Sequence, residues 1–322
     1  MSWFDRNTHH WDDWTLEALL AAKGSTTVSL VVPARNEAAT VGDVVTRVRS
    51  ALVDTVALLD EIVVIDSDST DATYDVATDA GATVHRSAEI RPDLGTVPGK
   101  GEAMWKSLFV TTGDVLVFMD ADLLDWDTHF VPGLLGPLLT RADVSLVKGF
   151  NERASLGDSH DGVDAAYEGG RVTELVARPL VALQHPTLGG LVQPLAGEWA
   201  VRRSLFESLH VPTGYAVELA ALVDTARLHG VDAIAQVDLG RRAHRHQALR
   251  DLGAMATQLM AAMERRRSSG GGFEAQAPVR LRTSSNGSGE SVTLRQYHPV
   301  DGRIAASDRH VPIGERPPAR LA

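Results

Sequence analysis

The residues able to do chemistry in this 322-residue chain collect at a few points, and the first is a pair of carboxylates. Asp120 and Asp122, separated by Ala121, follow the apolar run Val115-Leu116-Val117-Phe118-Met119. Hard divalent cations take oxygen ligands, so two acids at this spacing can hold one against a diphosphate. The same spacing recurs at Asp66/Asp68 and Asp125/Asp127, so a surface turn is the rival reading and the triplet alone decides little. What sets Asp120 and Asp122 apart is the apolar run before them. Asp66 also ends such a run, Glu61-Ile62-Val63-Val64-Ile65-Asp66, with Ser67 beside it and Ser69 or Thr70 placed to cap a following helix.

Cations and amides stand at comparable points. Pro33-Ala34-Arg35-Asn36-Glu37 follows the run 28–32 and offers a guanidinium and an amide to a base or a diphosphate; the plainer alternative is a capping Asn36 beside a solvated Arg35. Lys100 lies between Gly99 and Gly101 where a helix begins, so a cation meets amide donors that favour an anion. This is not a triphosphate-wrapping loop, which counts against a kinase or ATPase. Gly170-Arg171-Val172-Thr173 sets a guanidinium and a hydroxyl at another helix start, an anion cradle unless Thr173 merely caps and Arg171 is solvated. Glu218, three residues after Tyr215, sits among apolar neighbours where a carboxylate needs a partner such as an arginine. His244, in Gly240-Arg241-Arg242-Ala243-His244-Arg245-His246, offers an imidazole that could complete a metal site with Asp122, while Arg242 could neutralise phosphates.

These points must be held by a sheet. The runs at 28–32, 61–66, 82–85, 115–119, 143–150 and 232–239 are short and β-branched, as strands buried on both faces are, and helical patterns at about 40–52, 102–111 and up to 183 lie between them. The alternation predicts an α/β chain: a mostly parallel sheet with helices on both faces, whose ligands bind at the carboxyl ends of the strands. No Gly-x-Gly-x-x-Gly follows the first strand, which disfavours a dinucleotide dehydrogenase. Residues 188–198 are apolar and glycine-rich, suited to a close-packed floor. Residues 1–25, with four aromatic side chains, read as a packed arm. From 267 onward Ser/Gly linkers surround short β-like pieces, a tail that packs on the domain or crosses to another subunit. The expected organisation is an arm (1–25), a nucleotide-sugar half (26–135), an acceptor half (136–266) and a flexible C-terminal tail (267–322).

Composition excludes several classes. With 44% hydrophobic residues the chain can bury a large core, and its net charge of −11 argues against a general nucleic-acid binder. Having no cysteine, it has no disulfide, thiolate nucleophile or thiolate metal site. No apolar run approaches the roughly 20 residues of a membrane span, and the N-terminus lacks a secretory pattern, so a cytoplasmic location is expected.

Together, Pro33-Ala34-Arg35-Asn36-Glu37, Val64-Ile65-Asp66-Ser67-Asp68-Ser69-Thr70-Asp71, Pro98-Gly99-Lys100-Gly101 and Asp120-Ala121-Asp122 resemble the actinobacterial glucosyl-3-phosphoglycerate synthases, retaining GT-A glycosyltransferases. The likeness runs from the arm to about Arg266, and Gly169-Gly170-Arg171-Val172-Thr173-Glu174 and His244-Arg245-His246 are its more specific elements. It implies transfer of glucose from UDP-glucose to the 2-hydroxyl of 3-phosphoglycerate, with Mg2+ or Mn2+ as cofactor. It further implies a nucleotide-sugar site at Pro33, Ala34, Arg35, Asn36, Glu37, Asp66, Ser67, Lys100, Asp120, Ala121, Asp122 and Arg242. The acceptor falls to Gly170, Arg171, Thr173 and Tyr215, the metal to Asp122 and His244, and Glu218 meets the transferred sugar. A homodimer is expected. With no second carboxylate clearly placed as a nucleophile, front-face displacement is favoured, Glu218 positioning rather than attacking. A GDP-mannose-using synthase of mannosyl-3-phosphoglycerate, a sugar nucleotidyltransferase and a non-catalytic nucleotide-binding module stay open as alternatives.

Overall fold

The short apolar runs form one sheet in the structure, a computed structural model that describes residues 1–153, 170–242, 248–268, 284–285, 290–300 and 303–322. The arm comprises α1 (Trp3–Asn7), β1 (Thr8–His10) and α2 (Leu16–Lys23). Ser2 and Asp5 cap α1 reciprocally, each side chain accepting from the other's backbone N–H. Next come β2 (Val28–Ala34), α3 (Val41–Arg49), β3 (Glu61–Asp66), α4 (Thr73–Asp79), β4 (Thr83–Arg86), α5 (Lys100–Ser107), β5 (Val115–Phe118) and α6 (Phe130–Thr140). The following half holds β6 (Leu146–Arg153), α7 (Arg178–Gln184), β7 (Trp199–Arg202), α8 (Arg203–Phe206), β8 (Val211–Pro212), α9 (Val217–His229), β9 (Ile234–Arg242) and α10 (Leu249–Ser268). The chain ends with β10 (Ser284–Ser285), β11 (Glu290–Val300), β12 (Arg303–Pro312) and β13 (Glu315–Arg316).

Eight strands run in the order β1-β9-β6-β7-β5-β2-β3-β4. All neighbours are parallel except β7, which is antiparallel to both β5 and β6. Register keeps the carboxyl ends level: Ala34 lies opposite Asp66, and Val31 opposite Phe118. Because side chains alternate along a strand, each run feeds two cores. Val31, Val63, Leu116 and Phe118 pack with Met104, Trp105 and Leu219, while Val32, Val64, Val115 and Val117 pack with Val44, Val48 and Leu134 on the other face.

Several elements depart from the sequence reading. β7 was not anticipated: four residues without alternation, Trp-Ala-Val-Arg, follow the glycine-rich floor and reverse direction between two parallel strands. The arm contributes an edge strand, β1 pairing with β9. α5 starts at Lys100 rather than 102 and stops at Ser107, and β6 starts at Leu146 rather than 143. Ser69 and Thr70 do not cap α4, whose first residue is Thr73 and whose N-cap position, Ala72, makes no side-chain bond. At the chain's end β12 pairs with β11 along its length and β13 pairs with β8. The linkers expected at 269–272 and 286–289 lie outside the described residues. Among those described, no helix is long and apolar enough to cross a membrane.

Candidate active site

The site assembles where β2, β3 and β5 end. Beyond β5 the chain keeps its place through Met119 N–H donating to Val31 O at 3.2 Å, and Asp120 then emerges with its side chain 22% exposed. Its carboxylate lies directly on the backbone of Gly197: a Cβ there would stand 2.0 Å from Asp120 Oδ2. Two bonds fix Gly197 from either side, Lys148 Nζ donating to Ala196 O and Gly149 N–H donating to Glu198 O at 2.9 Å. The glycine-rich stretch therefore does form a floor, and the group it supports is the Asp120 carboxylate.

Lys100 joins the two halves of the site. Its Nζ is 2.6 Å from Asp120 Oδ1 and 2.8 Å from Glu218 Oε1, with Glu218 only 4% exposed on the first turn of α9. Burial opposes the charge on Lys100, but the Asp120 and Glu218 carboxylates outweigh it and hold the ammonium well above the ordinary lysine range. Glu218 thus has the buried partner its surroundings demand, a lysine rather than an arginine. The amides at the start of α5 are otherwise engaged: Gly101 N–H donates to Gly214 O at 3.2 Å and Glu102 N–H to Thr213 O at 2.9 Å. The expected anion site on those amides is not formed. Gly99 and Gly101 are needed for this approach instead, since a Cβ on either would fall 2.1 Å from Thr213 O or 1.8 Å from Pro212 O.

Lys148, a fully buried lysine close to the Lys100–Glu218 pair, was not singled out from the sequence. Lys148, 2% exposed, packs 5.6 Å from the Trp199 ring centroid. Burial pulls its ammonium down to about 7, against the opposing pull of Glu218. The available signal was a lysine inside the apolar run Leu146-Val147-Lys148-Gly149-Phe150.

At the end of β3, Asp66 is 1% exposed. Its Oδ1 accepts from Ser69 N–H at 3.1 Å, while Oδ2 is buried without a partner, an acceptor suited to a base N–H or a hydroxyl. Ser67 N–H donates to Ala34 O at 2.9 Å. Asn36, in a left-handed turn at φ +57°, donates its N–H to Ser69 Oγ and accepts Thr70 N–H on Oδ1 at 2.8 Å. Glu37 N–H donates to Thr73 Oγ1 at 2.8 Å. Asn36 therefore laces the loops after β2 and β3 together, Pro33 and Ala34 run beneath, and Arg35 stands exposed at the rim.

In the second half of the chain a helical run begins at Arg171 and continues as a π-helical turn from Thr173. Arg171 is exposed and Thr173 is 2% exposed. Tyr215, 45% exposed, is anchored through its N–H to Gln258 Oε1 at 2.9 Å. The loops holding Gly169 and His244 and the side chain of Arg242 lie outside the described residues.

The donor set fits a hard cation. Asp120 and Asp122 offer carboxylate oxygens, with Ala121 buried between them. Lys100 holds Oδ1 of Asp120. Among the described residues no three His, Asp or Glu side chains form a complete metal cluster.

Comparison with known proteins decides the family. Residues 29–207 match the model of Glycosyl transferase family 2. Glucosyl-3-phosphoglycerate synthase of Mycobacterium tuberculosis is 49% identical over 257 residues, 80% of this chain and 78% of that protein. The chain belongs to the glucosyl-3-phosphoglycerate synthase family. A crystal structure of the M. tuberculosis synthase in complex with Mn2+, UDP and phosphoglyceric acid superimposes with a TM-score of 0.82 at 40% identity, over 98% of both chains. Another, in complex with Mn2+, UDP-glucose and phosphoglyceric acid, gives 0.79 at 39% identity over the same share.

Proposed function

We propose that this protein transfers glucose from UDP-glucose to the 2-hydroxyl of 3-phosphoglycerate, giving glucosyl-3-phosphoglycerate with retained configuration. The observation that carries this reading is the Lys100 bridge, which ties Asp120, just beyond β5, to the buried Glu218 on α9. Asp66 Oδ2 would accept from the base or ribose, with the laced loops after β2 and β3 forming the nucleotide wall. Asp122 is the described residue that would hold a divalent cation, with His244 as its expected companion. Bound there with the diphosphate, that cation supplies Lewis-acid stabilisation of the leaving group.

Glu218 is suited to orienting the sugar rather than attacking it. Its Oε1 is committed to Lys100, and an ion-paired carboxylate is a poor nucleophile, which favours displacement on the face the diphosphate leaves. Lys100, kept positive by its two partners, adds a fixed cation where charge develops on the leaving group. Arg171 at the start of its helix and Tyr215 just before α9 would receive the phosphate and carboxylate of the acceptor. An acceptor drawn from central metabolism supports a cytoplasmic location, and the exposed Tyr297 and Ile304 on the terminal hairpin support a homodimer.

The test is transfer by the purified chain given Mn2+ and 3-phosphoglycerate with UDP-glucose or GDP-mannose. UDP release and a glucosylated product with UDP-glucose alone are expected; preference for GDP-mannose would replace the proposal with the mannosyl reading.

A further inference from the structure

The last strand of the chain is two residues long, yet it packs beside the segment that supports the start of α5 and Lys100. Glu315 and Arg316 pair with Pro212 and Val211 of β8, and Thr213 N–H donates to Gly314 O at 3.0 Å. The carbonyls of residues 212–214, on the other side, are those that Gly99, Gly101 and Glu102 pack against. The terminal segment is therefore one backbone layer away from the start of α5.

Arg316 closes the same loop with its side chain. Nε and Nη2 form a two-donor fork with the Glu102 carboxylate at 2.7 and 2.6 Å, while Nη1 donates to Leu94 O at 2.9 Å and Nη2 to Gly95 O at 3.2 Å. Glu102 is 1% exposed and Arg316 16%, so this pair is shielded from water and well bonded. The guanidinium lies 5.1 Å from the Trp105 ring centroid, and the Trp105 indole N–H donates to Pro317 O at 2.8 Å. Leu94 and Gly95 lie on the stretch leading into α5 and Glu102 lies in its first turn beside Lys100, so one guanidinium ties that stretch to the start of the helix. A lysine could not, because it lacks the planar fork.

We propose that Arg316 is a positioning residue for Lys100. By tying Glu102 to the carbonyls of Leu94 and Gly95 it fixes the start of α5 and so keeps the Lys100 ammonium between Asp120 and Glu218. The terminal segment is in this way part of the donor half of the site, an inference that rests on the glucosyl-transfer reading.

The test is a double-mutant cycle in the full-length protein with Mn2+, comparing wild type, Arg316→Ala, Arg316→Lys, Lys100→Ala and the Lys100→Ala/Arg316→Ala pair. Arg316→Ala should lower kcat/KM for UDP-glucose about 10- to 100-fold, the scale of a misplaced catalytic group, and leave the 3-phosphoglycerate KM within about twofold. Arg316→Lys should recover only part of the loss. In the Lys100→Ala background, Arg316→Ala should cost less than about threefold more, because both changes then act through one group. Losses that multiply in the pair overturn the proposal, as do wild-type kinetics in either Arg316→Ala or Lys100→Ala. If Arg316→Ala fails to fold, Glu102→Gln takes its place in the cycle under the same criteria. A wild type that transfers nothing sinks the transfer reading instead; the positioning claim is then judged by whether the cycle is non-additive in UDP affinity measured by calorimetry.

Discussion

Gly197→Ala is the smallest change that reaches the centre of the site. The added methyl would sit 2.0 Å from Asp120 Oδ2, 2.4 Å from Cγ and 2.6 Å from Oδ1, where ordinary carbon contacts begin at 3.4 Å. The backbone at 197 has little room to yield, because Lys148 holds the carbonyl before it and Gly149 the carbonyl after it. Asp120 must therefore retreat by about 1 Å or more in a close-packed setting. That movement stretches the 2.6 Å contact with Lys100 Nζ and frees Lys100 to swing toward Glu218. A displacement of that size in a catalytic group costs roughly 100-fold in rate, about 2.7 kcal/mol of transition-state stabilisation. Overpacking adds about 1–3 kcal/mol of lost stability, too little to unfold a typical domain. Steady-state kinetics for both substrates, with a thermal melt to confirm folding, provide the assay. A folded Gly197→Ala protein with kcat/KM for UDP-glucose within threefold of wild type would refute the claim that the Asp120 carboxylate is held in place by this floor.

Other perturbations probe the remaining parts. Asp122→Ala should lower turnover by at least ~100-fold, as loss of a major electrostatic stabiliser does, and activity that survives both this change and EDTA would remove the metal from the account. Arg171→Ala should raise the 3-phosphoglycerate KM about 10- to 150-fold, the worth of one charge-assisted bond, while UDP-glucose affinity measured by calorimetry stays put; the reverse pattern would exchange the two half-sites. Lys148 titrates near 7 in the folded protein and near the usual 10.5 when unfolded. Between these values the unfolded chain binds the extra proton, so this group makes stability rise with pH from about 7 to 10.5 and costs most below 7. Lys148→Met should flatten that rise in denaturant titrations, and an unchanged slope would mean that Lys148 is not buried in the folded protein.

Much of the sheet was legible because its signal is local. The runs ending at Ala34, Asp66 and Phe118 are short, β-branched and apolar on both faces, and each stops at a polar residue on one edge. β7 was not legible: its four residues carry no period, and its place depends on β5 and β6 accepting an antiparallel neighbour. Asn36 and Ser69 were misjudged for a related reason, since their bonds cross between two loops 33 residues apart, which no local capping rule contains. Glu218 advertised a need for a partner, but nothing in the spacing identified Lys100, 118 positions earlier. Arg316 left still less trace, because an arginine near a chain end looks solvated until the fold brings Glu102 to it.

The central claim is tested most directly by the product. Wild-type protein should be incubated with Mn2+, 3-phosphoglycerate and UDP-glucose labelled with 13C in the sugar, and the product read by NMR. One new species is expected, whose anomeric proton keeps the small H1–H2 coupling of the α-linked donor and whose labelled anomeric carbon correlates with the proton on carbon 2 of the glycerate. A β-type coupling, attachment elsewhere on the acceptor, or release of free glucose as the only labelled product would contradict it.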